Sequence, residues 1–210
     1  MSTDAAWQPL LWPSLSEVDD PNTWPAGTRR ELNCGAWIDH VPGWRRNADA
    51  LFDRLLANTP WQSGEREMYE RVVAVPRLTA WYPSVDRAGD DTLTACRDEL
   101  TSHYDCADDP FVSAGLCLYR DGRDSVAWHG DRIGRARHSD TLVAVLSLGN
   151  PRSFLLRPAE GGAVIRLTVG HGDLLVMGGS CQRTYQHAVP KTRGGAGPRI
   201  SVQFRQRAVA

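Results

Sequence analysis

The sequence has no apolar run approaching the roughly 20 residues that a membrane-spanning helix needs, so no segment is expected to cross a bilayer. Its first fifteen residues, Met1 to Leu15, have neither a basic opening nor a long apolar core, and they do not read as a signal peptide. Charge of one sign is missing too. A formal net charge of −1 and a pI of about 6.6 argue against a protein that coats nucleic acid by charge alone. Basic residues gather only locally: Arg132, Arg135 and Arg137, then Arg152 and Arg157, then Lys191 and Arg193. The five cysteines, Cys34, Cys96, Cys106, Cys117 and Cys181, contain no CxxC pair, and an odd number cannot all close into intramolecular disulfides. A reduced, cytoplasmic setting is therefore expected, with Cys117 and Cys181 as small core residues. There is no internal repeat, no strand–helix alternation of the Rossmann kind, and no low-complexity tract beyond the loop Gly194–Gly197.

What is present suits one compact domain. The length is 210 residues, 41% of them hydrophobic, with mixed-sign charge. Residues 1–28 carry Trp7, Trp12 and Trp24 among Pro9, Pro13, Pro21 and Pro25; prolines deny regular structure its donors, so an extended N-terminal wrap is expected there. A single domain follows over 29–210, with a substrate-side part at about 29–110 and a β-rich core at about 111–207. Helical spacing of Ala48, Leu51, Phe52, Leu55 and Leu56 predicts a helix from about Pro42 to Ala57. Leu93, Cys96, Leu100 and Tyr104 predict a second from Asp91 to Tyr104, capped by Asp90 or Asp91. After residue 111 come short β-rich runs: 115–119, 125–129, 142–148, 154–157, 163–167, 173–177, 184–187 and 200–204. Eight such strands in about ninety residues predict a sandwich, barrel or jelly roll.

The chemistry concentrates in the same region. His129 and Asp131 stand two residues apart, and on a strand residues i and i+2 share a face, so both can reach one metal ion. His187 supplies a third ligand. Two histidines and one carboxylate form a facial triad that leaves positions open for co-substrate and oxygen, although three such ligands would also suit zinc. In the last strand, alternation puts Arg199, Ser201, Gln203 and Arg205 on one face and Ile200, Val202 and Phe204 on the other. Guanidiniums turned into a barrel call for an anion, and a small dicarboxylate would satisfy them; on an edge strand they would simply be solvated. His40, His103, His138 and His171 are not expected to be ligands, and Trp128, which strand alternation turns away from the metal, is expected in the core.

Three blocks together resemble the AlkB family. They are LYRDGRDSVAWHGD from Leu118 to Asp131, GDLLVMGGSCQRTYQHAVPK from Gly172 to Lys191, and the closing pair Arg199 and Arg205. The resemblance spans roughly residues 70–206. It implies a mainly β protein with flanking helices and a double-stranded β-helix (jelly-roll) core. It implies Fe(II) held by His129, Asp131 and His187, with 2-oxoglutarate as co-substrate and O2 as oxidant. Arg199 would pair with the distal carboxylate of 2-oxoglutarate, Arg205 would lie near its metal-bound end, and Tyr119 would add a hydroxyl contact. The implied activity is oxidative dealkylation of N-alkylated nucleobases in DNA or RNA, which repairs alkylation damage directly and releases formaldehyde, succinate and CO2. Such an enzyme works on single strands or flipped bases. Arg77, Trp81 and Tyr82 are the matching substrate-side residues, a monomer is favoured, and no membrane is involved.

The chain departs from the family pattern at Cys117, where many members have Asn, at Ile133, where many have an acid, and at Pro83, where relatives often have Gly. The near-neutral charge and the Ile133 and Pro83 departures keep a second expectation in view: the same iron chemistry acting on a protein or small-molecule substrate.

Overall fold

The computed structural model describes residues 24, 27–68, 71–131, 134–194 and 196–206. Most of the expected N-terminal wrap therefore lies outside the described residues, as does Ile133. Trp24 is described; its ring stacks on His103 at 3.5 Å and leans against Trp44 and Tyr104.

In chain order the strands are β1 (Thr28–Glu31), β2 (Ala36–Val41), β3 (Gln62–Met68), β4 (Arg71–Tyr82), β5 (Phe111–Tyr119), β6 (Val126–His129), β7 (Val143–Gly149), β8 (Arg152–Pro158), β9 (Ile165–Val169), β10 (Leu174–Gly179), β11 (Tyr185–Val189) and β12 (Arg199–Gln206). The helices are α1 (Ala48–Asn58), α2 (Asp91–His103) and the single turn α3 (Cys181–Thr184). The large sheet has eight strands in the order β1-β2-β10-β7-β12-β5-β4-β3, and the small sheet has four, β6-β11-β8-β9. Neighbours run antiparallel, and the two sheets form the expected jelly-roll core. All eight strands read from the sequence after residue 111 are present. Of the four before it, only the stretch around His40 was expected, as an early strand or turn. His40 lies in one of them, β2, and β3 and β4 form the far edge of the large sheet.

The large sheet is covered on both faces, so its central strands are almost continuously apolar. In β7, Ala144, Leu146 and Leu148 face α1 and α2, while Val143 and Val145 face the small sheet. In β10, Leu174 and Val176 point to the helices, and Leu175 and Met177 point inward. Two cores result, one under the helices and one between the sheets.

α2 matches its expected bounds closely. The Asp90 carboxylate accepts hydrogen bonds from the backbone N–H groups of Thr92 and Leu93, capping the first turn. α1 begins six residues later than the periodicity suggested. Gly43 (φ 60°) and Asn47 (φ 51°) are left-handed, and the Gly43 N–H donates to Asp173, so the chain turns where a helix would have begun. Leu56, expected on the apolar face, is exposed at the end of that helix.

Candidate metal and co-substrate site

The inward face of the large sheet changes character at β12. Ile200, Val202 and Phe204 are fully buried under the helices, whereas Arg199, Ser201, Gln203 and Arg205 line a cavity of about 220 Å³ between the sheets. β12 lies between β5 and β7 rather than at an edge, which removes the solvated reading of its arginines. His129, Asp131, His187, Tyr119 and Arg77 line the same cavity.

His129 ends β6 and stands directly opposite His187 on β11. The two imidazoles lie 4.2 Å apart between ring centres, and Phe154 stacks on the far side of His187 at 5.4 Å. Asp131 lies beyond the end of β6, so strand alternation does not place it. Its backbone N–H instead reaches the side-chain oxygen of Gln182 in α3 at 3.4 Å. One donor atom from each of His129, Asp131 and His187 falls within 4.8 Å of the others, close enough to hold one metal ion. His129 Nδ1 lies 2.9 Å from the carbonyl oxygen of Ala127. Donating a proton there leaves Nε2 unprotonated, as a ligand must be.

Electrostatics favour the ligand forms. Burial, helped by the neighbouring His129, drives the His187 imidazole down to about 3, so it stays neutral through the physiological range. Burial pushes the Asp131 carboxyl up, but Arg205 and the two imidazoles outweigh that and hold it below its usual value. Arg205 Nη2 and Nε donate to Asp131 Oδ2 at 2.9 and 3.2 Å. The guanidinium has room because residue 115 is glycine: a Cβ there would come within 2.8 Å of Arg205 Nη1 and 3.1 Å of the Gln203 side chain. Gly115 pairs across the strands with Trp81, which is 47% exposed with the Arg205 guanidinium 5.8 Å behind its ring.

Arg199 is 1% exposed and has no carboxylate partner among the described contacts. Its Nε donates to Ser147 Oγ at 2.9 Å, its guanidinium lies 5.1 Å from the Tyr119 ring centre, and its Nη1 is buried without an acceptor. Burial lowers its pKa, and burial lifts the Tyr119 hydroxyl to about 12, so that hydroxyl remains a donor. A buried guanidinium with an unused N–H, opening on a cavity, is a costly arrangement that a carboxylate ligand would relieve.

A family model described as the 2OG-Fe(II) oxygenase superfamily matches residues 41–205. The chain belongs to that superfamily. Its relatives within it are AlkB-like. It is similar to the alpha-ketoglutarate-dependent dioxygenase alkB homolog 3 of Mus musculus, 31% identical over 207 residues, with 86% of this chain and 67% of that protein covered. It is also similar to the DNA oxidative demethylase ALKBH2 of Arabidopsis thaliana, 26% identical over 233 residues, covering 91% of this chain and 74% of that one. Among solved structures, OsALKBH1 matches with a TM-score of 0.57 at 14% identity, over 84% of this chain and 100% of that one. A 2OG-Fe(II) family oxidoreductase from Burkholderia pseudomallei matches with the same TM-score at 15% identity, over 82% and 85%. These two likenesses speak for the jelly-roll fold. The protein is thus an Fe(II)- and 2-oxoglutarate-dependent dioxygenase that uses O2, and the His-Asp-His donor set with a carboxylate-seeking arginine fits those cofactors.

The substrate-side residues are less uniformly placed. Arg77 lines the cavity, and its Nη1 donates to the Ser125 carbonyl oxygen at 3.3 Å. Trp81 does not line the cavity: its ring is exposed and stands over Arg205, which does line it. Tyr82 is not among the cavity residues; it packs against the core under the helices. Cys117 packs against the inner core, half-buried, and also lines the cavity, while Cys181 is buried as expected. Trp128 is a correction: it is half-buried on the outer face of the small sheet, covered by Arg157, and belongs to neither core. His171 is a turn residue whose Nδ1 accepts from the Gly149 N–H, and His103 ends α2. Sequence reasoning missed Gln182 and Met177. Neither carries a spacing signal, because contacts across the fold bring both to the site.

Proposed function

We propose that the protein removes alkyl groups from nucleobases in DNA, with RNA a chemically equivalent substrate, through iron held by His129, Asp131 and His187. Bound there, iron with 2-oxoglutarate and O2 supplies the oxidising power: one oxygen atom enters succinate, the co-substrate loses CO2, and the other hydroxylates the alkyl carbon, which leaves a methylated base as formaldehyde. The chain's own residues do the positioning. Arg199 takes the distal carboxylate of the co-substrate, with Tyr119 donating its hydroxyl nearby. Arg205, held by Asp131, lies near the metal-bound end of the co-substrate. Arg77 and the cavity's apolar wall of Val143, Val145 and Phe154 exclude water and limit what enters.

The observation that carries the nucleobase reading is Trp81. A half-exposed indole over Arg205, itself a residue of the cavity wall, offers a stacking surface for a base presented to the metal. The relative named as a DNA oxidative demethylase supports the same reading.

The test is a single-stranded oligonucleotide carrying 1-methyladenine or 3-methylcytosine, supplied with Fe(II), 2-oxoglutarate and O2 and followed by mass spectrometry. Loss of one methyl group with matching succinate is expected. Succinate without demethylation would retain the iron chemistry and move the substrate to a protein or small molecule.

A further inference from the structure

β6 is a weak place to mount a metal ligand. It has four residues, it forms the edge of the small sheet, and its ladder with β11 is irregular between the His187 and Val189 pairings. Short edge strands of this kind fray readily. Yet His129 sits at its end and must hold a fixed spacing to His187.

The outer face of the same sheet offers a restraint. Trp128, one residue before His129, turns outward and lies against Arg157 of β8, whose guanidinium carbon is 4.2 Å from the indole centre. Because the sheet order is β6-β11-β8, the indole must reach across β11 to make that contact. Arg157 is itself tied down, since its Nη2 and Nε donate to the side-chain oxygen of Gln186 at 3.0 and 3.4 Å. Gln186 immediately precedes His187 and stands directly opposite Arg157 in the ladder. Alternation then puts Trp128, Gln186 and Arg157 on the outer face, behind the two imidazoles.

We propose that Trp128, Arg157 and Gln186 are positioning residues: an external clamp that presses the short, irregularly paired edge strand onto its neighbours and so sets the spacing of His129 and His187. The clamp spans all three strands around the ligand pair. It touches neither metal nor substrate, and it acts through the backbone of the two ligand strands. The inference rests on the reading that His129 and His187 hold the iron.

The test compares metal affinity with fold stability. Fe(II) and Co(II) dissociation constants would be measured anaerobically for the wild type, Trp128→Ala, Trp128→Phe, Arg157→Ala and the Trp128→Ala/Arg157→Ala double variant. Arg166→Ala, exposed on the same sheet, is the control. The visible Co(II) bands and the thermal midpoint of the metal-free protein would be recorded alongside. Loss of such supporting contacts costs about tenfold or more in metal affinity. Trp128→Ala and Arg157→Ala should therefore each bind metal about tenfold more weakly, with altered Co(II) bands. The double variant should be no weaker than Arg157→Ala, because that change already removes the indole contact together with the Gln186 bonds. Trp128→Phe should recover most of the affinity, and Arg166→Ala should match the wild type. Should Trp128→Ala not fold, Arg157→Ala and Trp128→Phe carry the same comparison. Unchanged affinity and bands, with only a lower thermal midpoint, would reduce the trio to ordinary surface packing and overturn the clamp. A wild type that binds neither metal would instead overturn the ligand assignment on which the clamp depends.

Discussion

The two faces of β12 are built from the same backbone and do opposite work. Toward α1 and α2 it presents Ile200, Val202 and Phe204, all fully buried in hydrocarbon. Toward the small sheet it presents Arg199, Ser201, Gln203 and Arg205, lining a cavity with the His-Asp-His cluster. The first face contributes to stability through the area it removes from water, which does not depend on fine placement. The second face works against stability in the metal-free protein. It keeps the Arg199 guanidinium buried with an unused donor, a cost that a bound carboxylate would relieve. A change on one face should therefore move folding and leave chemistry alone, and a change on the other should do the reverse.

The sharpest separation is expected at the ligands. Asp131→Ala should bring succinate formation down to the level without enzyme and abolish Fe(II) binding, while far-UV circular dichroism stays that of the wild type. Turnover surviving this change would show that the metal is held elsewhere.

Arg199→Met comes next. Truncating one side of a buried charge pair costs about 2–5 kcal/mol, which corresponds to a KM for 2-oxoglutarate raised by roughly 30-fold to several thousandfold. The metal-free protein should be no less stable in urea than the wild type, because an uncompensated buried charge has been replaced by hydrocarbon. Marked loss of stability in that variant would contradict the contrast between the faces.

On the opposite face, Phe204→Ala should cost about 3–5 kcal/mol in urea denaturation through lost burial and the cavity left behind. The KM for 2-oxoglutarate of the remaining folded protein should change less than about threefold, since Phe204 points away from the cavity.

The smallest effect is in acid. His187 titrates at about 3 in the folded protein and near 6.5 when unfolded. Above about 6.5 neither state takes up a proton on this group. Below it the unfolded chain binds more, so metal-free stability should fall with pH by up to about 1.4 kcal/mol per unit from this residue. Asp131, also held below its usual value, adds to the loss in the same direction at lower pH. Denaturant titrations of the metal-free protein between about pH 8 and pH 5 check this, and His187→Gln should flatten the lower part of the curve.

The faces of β12 were readable because alternation at period two is a local property of an extended chain, and the strands after residue 111 because short β-rich runs there are separated by Gly, Pro and charged turns. Most of the strands before it were not. Arg71–Tyr82 is one long strand containing Pro76, which is tolerated near the edge of a sheet, and its residues do not alternate cleanly. The start of α1 was misjudged because left-handed Gly43 and Asn47 depend on a bond to Asp173, 130 residues away from Gly43. Within the site, His129, Asp131, His187, Arg199 and Arg205 could be picked out by residue type and order. Tyr82 could not be separated from Trp81 in that way, because deciding which of two adjacent aromatics is exposed and which packs against the core requires knowing what lies on each side of β4.

By itself, then, the sequence determined the chemistry that the chain can carry: which residues could bind metal, which strand face would hold cations, and that the later half is β-rich. Those are matters of residue type and short-range period. The tertiary structure decided that β12 lies mid-sheet, so that its arginines are buried and not solvated. It decided that Gln182 holds the Asp131 backbone, that Gly115 clears space for Arg205, and that Trp128 reaches over its neighbour to Arg157. Each of these depends on strands distant in sequence lying about 5 Å apart in space, and no local pattern encodes that adjacency.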